Sequence, residues 1–125
     1  MKVLAIGAHP DDIEIYMYRF LAACLSRKDE VIVAVATDGV AGTVNTKKNL
    51  FNTRKKETIK GLSLIGLPDF LSFPDGELSY NIKAGILIKN YISRINPDLI
   101  ITHAPEDYHP DHNALSNFVV QGSGF

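Results

Sequence analysis

The sequence predicts an α/β fold, a three-layer sandwich in which helices cover both faces of a mostly parallel β-sheet. Short apolar runs alternate along the chain with longer segments that have the composition of helices. The apolar runs end close to Gly, Pro or Asp, as is typical of strands buried on both faces. Strands joined by helices form parallel sheets with right-handed crossovers, so the predicted order β-α-β-α-β-α-β-α favours this layered arrangement.

The first three predicted elements are a strand, a helix and a second strand. Residues 3–8, VLAIGA, form a short continuous apolar run next to Gly and Pro. Residues 13–28 contain neither Gly nor Pro and close with Arg27 and Lys28, which suits the C-terminus of a helix. Residues 31–39, VIVAVATDG, are apolar and β-branched and stop at Asp-Gly, so we expect a second buried strand there.

The next part of the chain is predicted to be a loop, a helix and a short strand. Residues 40–49 are polar and are expected to form the loop. Residues 50–67 carry apolar residues near helical spacing, and we expect Gly66 and Pro68 to mark the end of this helix. Residues 69–74, DFLSFP, are a candidate for the third strand, and the turn DGE follows them.

The last elements are predicted to be a helix, a strand and a further helix. Residues 81–95 are expected to be helical with Asn81 as N-cap, and Pro97 stops this helix. Residues 98–105, DLIITHAP, form another apolar run and predict the fourth buried strand. The final helix should begin near Asp111 and include NALSNFVV.

Length and composition limit the classes of protein to which the chain can belong. Its 125 residues suit one domain, and a content of 46% hydrophobic and 22% charged residues argues against disorder. The net charge is −1 without a long basic run, so no nucleic-acid partner is expected. The single cysteine, Cys24, excludes an intrachain disulfide and a cysteine-based zinc site. Neither a membrane span nor a signal peptide is recognisable, so we expect a cytoplasmic protein.

Two clusters of histidine and aspartate follow the first and the last predicted strands. HPDD occupies residues 9–12 and DYHPDH occupies residues 107–112; together with His103 they include all four histidines of the chain. Asp38 and Asp75 follow the other two predicted strands. Because the carboxyl ends of parallel strands share one edge of the sheet, we expect the two clusters to converge there.

Imidazole nitrogens and carboxylate oxygens without cysteine suit a catalytic zinc site, which uses three protein ligands and leaves one position for water. Two histidines and one carboxylate also suit Fe²⁺, so the ligand types leave the metal open. A bound metal lowers the pKa of its water, and a neighbouring carboxylate that is not a ligand can then accept the proton. The adjacent Asp11 and Asp12 could divide these two roles.

Each cluster has a purely structural explanation when it is considered alone. An aspartate of HPDD could cap the next helix after Pro10 has fixed the backbone, and Asp111 could cap the last helix. The presence of both clusters at strand ends of one α/β domain favours the metal site instead. For His103 we favour packing, or support of a ligand, over direct coordination.

The chain resembles the LmbE/PIG-L family, which consists of metal-dependent N-acetylglucosamine deacetylases. The resemblance rests on AHPDD after the first strand, TDG after the second, RKKE in the next helix, PDGEL, and THAPEDYHPDH, and it covers residues 2 to about 117. It implies a Rossmann-like fold, a zinc cofactor (Zn²⁺), and hydrolysis of the acetamide of an N-acetylated amino sugar or its conjugate. The small-molecule partner would be of the N-acetylglucosamine type.

The resemblance also implies which residues hold the metal and which one activates water. His9 and Asp12 of the first motif and His112 of the second would be the metal ligands. Asp11 would be the general base that activates the metal-bound water for attack on the amide carbonyl.

Further roles follow from the same resemblance. His109 would stabilise the oxyanion or protonate the leaving amine, and Asp111 would orient a histidine. Arg54 and Asp75 match positions that would contact the sugar. Tyr108 is a weaker candidate for contact with the oxyanion. Asp38, by contrast, is expected to shape its loop.

Two departures from the family pattern affect these expectations. Tyr16, Tyr18 and Arg19 stand where the family often has a small, glycine-rich helix start, so they could narrow the mouth of the site or form a subunit contact. Family members are also usually longer; we expect a domain over residues 1–118 whose usual C-terminal part is missing, followed by a flexible tail over residues 119–125. Exposed apolar surface would then favour a homo-oligomer.

Four functions are compatible with the sequence. The first is a zinc-dependent deacetylase of amino sugars, and the second is the same chemistry on another small N-acyl compound. The third is a catalytically impaired metal-binding remnant or assembly subunit without turnover. The fourth is a nucleotide-binding protein, against which the absence of GxGxxG after the first strand argues strongly.

Overall fold

The computed structural model describes residues 1–39 and 47–123. Its centre is a parallel four-stranded sheet with the order β3-β2-β1-β4. The strands are β1 (Lys2–Gly7), β2 (Glu30–Thr37), β3 (Asp69–Phe73) and β4 (Leu99–Ile101). The prediction of an α/β fold with a parallel sheet is therefore confirmed.

Five helices surround the sheet in the part of the chain that the structure describes. They are α1 (Asp12–Tyr16), α2 (Tyr18–Ser26), α3 (Lys47–Gly61), α4 (Ile82–Ile95) and α5 (Pro110–Gly122). A short 3₁₀ helix, Leu78–Tyr80, links β3 to α4. The predicted N-cap of α4 is confirmed, because the backbone N–H of Ala84 donates to Asn81 Oδ1 over 3.0 Å.

The central strand β1 separates two hydrophobic cores, because successive side chains of a strand point to opposite faces. Val3 and Ala5 belong to the core that packs against α1, α2 and the turn that follows α3. Leu4 and Ile6 belong to the core that packs against α4 and α5. The two cores and the sheet between them make the predicted three-layer sandwich.

The first and second predicted helices differ from the observed ones at their boundaries. The predicted helix 13–28 is two helices, because Met17 leaves helical geometry at φ −122° while its side chain is buried. Helix α3 begins at Lys47, inside the predicted loop; residues 40–46 of that loop lie outside the described residues. It ends at Gly61 rather than near Gly66, and glycine is the weakest helix former after proline.

The C-terminal elements also begin and end at other residues than predicted. Strand β4 has three residues, shorter than the apolar run suggested. Helix α5 is capped by His109 rather than Asp111: the Asp111 N–H donates to His109 Nδ1 over 3.1 Å. The predicted tail boundary at residue 119 does not hold, because α5 continues to Gly122 and Val119 is buried in the core. Residues 124 and 125 lie outside the described part of the chain.

Within residues 1–39 and 47–123, no helix combines the length and the apolar character that crossing a membrane requires.

Candidate metal centre

The site lies where the direction of strand connection reverses. The chain passes from β1 outward to β2 and β3, and then returns to place β4 on the other side of β1. Such a switch point leaves a crevice at the carboxyl ends of β1 and β4, where α/β proteins bind ligands. HPDD follows β1, and DYHPDH leads into the first turn of α5, so the topology brings the two predicted clusters to this crevice.

A tight turn after β1 places the first two candidate ligands. The backbone N–H of His9 donates to Asp12 Oδ2 over 2.9 Å, and the N–H of Asp12 donates to the His9 carbonyl over 3.2 Å. Between them Asp11 adopts a left-handed conformation with φ 85°, which is uncommon outside glycine. Asp11 occupies the N-cap position of α1, yet its side chain makes no capping hydrogen bond. Helix capping therefore does not explain this side chain.

Three predicted metal ligands converge in the crevice. Asp12 Oδ2 lies 3.2 Å from His9 Nδ1 and 3.1 Å from His112 Nε2. Ligand atoms of these three residues all lie within 4.8 Å of one another. Asp12 and His112 are 6% and 2% exposed, so water does not separate them from their neighbours. Two imidazole nitrogens and one carboxylate oxygen form a donor set that fits a catalytic zinc ion.

The carboxylates around His9 determine its protonation. Its Nε2 atom lies 2.9 Å from Asp111 Oδ2 and 3.0 Å from Asp75 Oδ1. Although burial acts to lower the pKa of His9, hydrogen bonds with Asp111, Asp12 and Asp75 raise it to about 11. Burial acts to raise the pKa of Asp12, but its contacts with the rings of His103 and His9 and with the backbone N–H of His9 hold it well below its usual range. The crevice therefore concentrates negative charge that stabilises a cation.

Asp111 connects the site to the fold. Its buried carboxylate accepts hydrogen bonds from the N–H groups of Gly76 (2.7 Å) and Leu78 (3.1 Å) in addition to its contact with His9. These bonds hold the pKa of Asp111 below its usual value, against the effect of burial. The histidine that Asp111 contacts through its carboxylate is thus His9, at the far end of the sequence.

We expect Asp111→Ala to lower the free energy of unfolding by about 2–4 kcal/mol, because it leaves buried donors without an acceptor. Urea unfolding of the metal-free protein measures this loss. Glu77→Ala is the matched control, since this exposed acid lies in the same loop and makes no capping hydrogen bond. Equal stability of the two variants would contradict the assignment.

His103 packs against the candidate ligand His112 and the backbone after β1. Its Nε2 atom accepts a hydrogen bond from the N–H of Ala8 over 3.0 Å, and its ring stacks on His112 with centroids 3.7 Å apart. The two rings are parallel to within 5°. This placement agrees with the expectation of packing and support of a ligand.

A cavity of about 180 Å³ opens onto the three candidate ligands. The cavity is also lined by the residues that are predicted to contact the substrate without binding the metal: Asp11, Arg54, Asp75, Tyr108 and His109. Burial and the charge of Asp12 raise the pKa of Asp11, as suits a general base. Burial and the positive charge of His9 lower the pKa of His109.

The loop after β2 and the tyrosines complete the wall of this cavity. Gly39 lines the cavity at φ 68°, and a Cβ atom there would lie 2.7 Å from Pro10 Cδ, so only glycine fits. Asp38 Oδ1 accepts from the N–H of Asp75 over 3.1 Å, in agreement with a role in shaping the loop. The hydroxyl of Tyr16 lies 3.4 Å from that of Tyr108. Tyr16 thus reaches the mouth of the site.

Sequence reasoning assigned no role to Gly39 or to Asp107. The motif TDG contained the signal for Gly39, because glycine after a strand often marks a close backbone approach. Asp107 lies within the second cluster, but its partner could be found only from the structure.

The family model described as PIG-L: GlcNAc-PI de-N-acetylase matches residues 4–122. Two curated proteins with similar sequences are a 1D-myo-inositol 2-acetamido-2-deoxy-alpha-D-glucopyranoside deacetylase from Corynebacterium diphtheriae and a diacetylchitobiose deacetylase from Thermococcus kodakarensis. The first is 31% identical and aligns with 93% of this chain and 50% of its own length. The second is 26% identical and aligns with 99% of this chain and 49% of its own length.

Among solved structures, the N,N'-diacetylchitobiose deacetylase from Pyrococcus horikoshii in complex with its inhibitor MPG superposes with a TM-score of 0.86 at 28% identity. The superposition covers 99% of this chain and 49% of that one. The chain thus spans about half the length of the relatives that it matches.

Proposed function

Because the chain belongs to the PIG-L (LmbE-like) family of deacetylases, we propose that it is a metal-dependent N-deacetylase of an N-acetylated amino sugar or its conjugate. The observation that carries the proposal is the convergence of His9, Asp12 and His112 at the floor of a cavity. Zinc is the metal that this donor set suits, with Fe²⁺ as the second choice. When bound, such an ion polarises an amide carbonyl and makes a water molecule more acidic.

Asp11 is the residue that we propose to accept the proton of the attacking water. Its side chain is exposed and lines the cavity, whereas that of Asp12 is buried between the two histidine rings. The two adjacent carboxylates thus face different partners. Asp12 would hold the metal, and Asp11 would remain available to move protons.

His109 is proposed to stabilise the developing oxyanion or to protonate the leaving amine. It lines the cavity, and its ring centroid lies 4.4 Å from that of His9 and 5.1 Å from that of His112. Tyr108 lies at the rim, where it is 81% exposed, and is a weaker candidate for the same contact. Arg54 and Asp75 would bind the sugar hydroxyls from the wall of the cavity.

The names of the relatives support the proposed substrate class, because both are deacetylases of N-acetyl sugar compounds. We expect the purified protein to release acetate from N-acetylglucosamine, N,N'-diacetylchitobiose or the inositol conjugate of acetamidoglucose. A chelator should abolish the release and added zinc should restore it, because the proposed ligands bind metal reversibly. Acetate release that persists without metal, or no release from any of these compounds by zinc-loaded protein, would refute the proposal.

Metal binding without turnover is the second candidate function. The cavity of about 180 Å³ favours it, since cavities that enclose a small ligand usually exceed about 300 Å³. The same assay separates the two: a zinc-binding protein that releases no acetate would support this second function.

A further inference from the structure

The buried nitrogen of His112 that faces away from Asp12 needs a hydrogen-bond acceptor. Nε2 of this ring points to Asp12, while Nδ1 is buried and has no well-aligned hydrogen bond among the described residues. Asp107 Oδ1 nevertheless lies only 3.1 Å from Nδ1. A buried donor without an acceptor is destabilising, so alignment of these two groups is strongly favoured.

We propose that Asp107 is a positioning residue of the metal centre: it accepts the Nδ1–H of His112 and leaves Nε2 of that ring free to bind the metal together with Asp12. The inference rests on the metal centre of the proposed function and deepens it. A metal-binding imidazole usually donates its second N–H to a carboxylate, which selects the tautomer and the ring orientation.

Asp107 is itself held in place by the start of α5. Its N–H donates to Asn113 Oδ1 over 2.7 Å, and Asn113 Nδ2 donates back to the Asp107 carbonyl over 3.1 Å. The N–H of His109 donates to Asp107 Oδ1 over 3.1 Å. The carboxylate therefore has a defined position before any ion binds.

The ring of His112 has little freedom to choose another arrangement. It is 2% exposed and stacks on His103, so its plane is set by the ring beneath it. Carboxylates lie near both ring nitrogens, Asp12 at Nε2 and Asp107 at Nδ1. In the proposed site, Asp12 binds the metal beside Nε2, and Asp107 is the fixed acceptor of the Nδ1–H.

The first measurement is zinc affinity by competition with a chromophoric chelator. We expect Asp107→Ala to bind zinc about 10- to 100-fold more weakly, as the loss of such outer partners does in other sites. Asp107→Asn keeps an oxygen that can accept from both His112 and His109, so its affinity should lie between those of wild type and Asp107→Ala. Glu106→Ala, which removes the exposed neighbouring acid, should bind zinc like wild type.

The second measurement observes the hydrogen bond itself. In zinc-loaded wild type, the Nδ1–H proton of His112 should give an exchange-protected proton NMR signal, assigned by its absence in His112→Ala. The signal should lose its protection in Asp107→Ala and keep it in part in Asp107→Asn. Because Asp107→Asn preserves the loop contacts, it remains informative even if Asp107→Ala folds poorly.

Three results would overturn the inference. One is unchanged zinc affinity in folded Asp107→Ala, and another is a protected Nδ1–H signal in that variant. The third is binding of two zinc ions with loss of one in Asp107→Ala, because His103, Asp107 and His112 could then hold a second ion. Absence of acetate release with the expected zinc affinities would refute only the deacetylase function.

Discussion

Asp11→Asn should abolish most turnover while zinc remains bound. The variant keeps the size of the side chain but removes the carboxylate that we propose to accept the proton of water. Loss of a general base lowers kcat by about 10²- to 10⁴-fold. Asparagine also tolerates the left-handed conformation at φ 85°, so the turn between His9 and Asp12 should persist. Acetate release and zinc content, measured on the same sample, test both halves of this expectation.

Glu57→Gln is the matched control for Asp11→Asn. Glu57 is exposed on α3 and does not line the cavity. Its negative charge contributes to the raised pKa of Asp11. The control thus removes one nearby negative charge but no proposed base, and its turnover should match wild type. Turnover in Asp11→Asn equal to that of the control would remove Asp11 from the mechanism. Loss of zinc in Asp11→Asn would make Asp11 a ligand instead.

His112→Ala should strongly lower the affinity of the protein for zinc. The loss of an outer partner alone weakens zinc binding by about 10- to 100-fold, so removal of a ligand should exceed about 100-fold. Acetate release should disappear with the metal and should not return at ordinary zinc concentrations. Chelator competition measures the affinity, and circular dichroism reports whether the variant folds. Full zinc occupancy in folded His112→Ala would reject the ligand assignment.

His109→Asn is the control for His112→Ala within the same motif. His109 caps α5 by accepting from the N–H of Asp111, and asparagine is a good N-cap residue. The variant should therefore keep the helix and bind zinc like wild type. Its acetate release should fall, because the ring beside His9 is lost. A fall in zinc affinity as large as in His112→Ala would show that His109, too, belongs to the ligand set.

The strands were predictable because each is an apolar run with few alternatives. Residues 3–8 and 31–39 became β1 and β2 with shifts of one or two residues. Helix boundaries were harder, since they depend on packing as well as composition. Nothing in the sequence around Met17 marks a break, yet its side chain lies in the core at the point where α1 ends. At α3, Gly61 stops the helix before the more conspicuous Gly66 and Pro68.

The location of the site was predictable from topology, whereas its internal pairing was not. Two polar clusters at the ends of parallel strands had to share one edge of the sheet. Which carboxylate faces which ring depends on the packing of α5 against the sheet. The carboxylate of Asp111 contacts His9, whereas only its backbone N–H is hydrogen-bonded to His109, and Asp107 faces His112. Such contacts follow from side-chain directions that no short motif contains.

The pairing of β1 with β4 determines when the site can form during synthesis. Val3 pairs with Leu99, so β1 and its neighbour β4 come from distant parts of the described chain. The ribosome delivers β1 first, and its neighbour β4 and helix α5 emerge only after the intervening strands and helices. A nascent chain that carries His9 and Asp12 without His112 has an incomplete set of donors. Binding of the proposed ion should therefore follow the synthesis of α5.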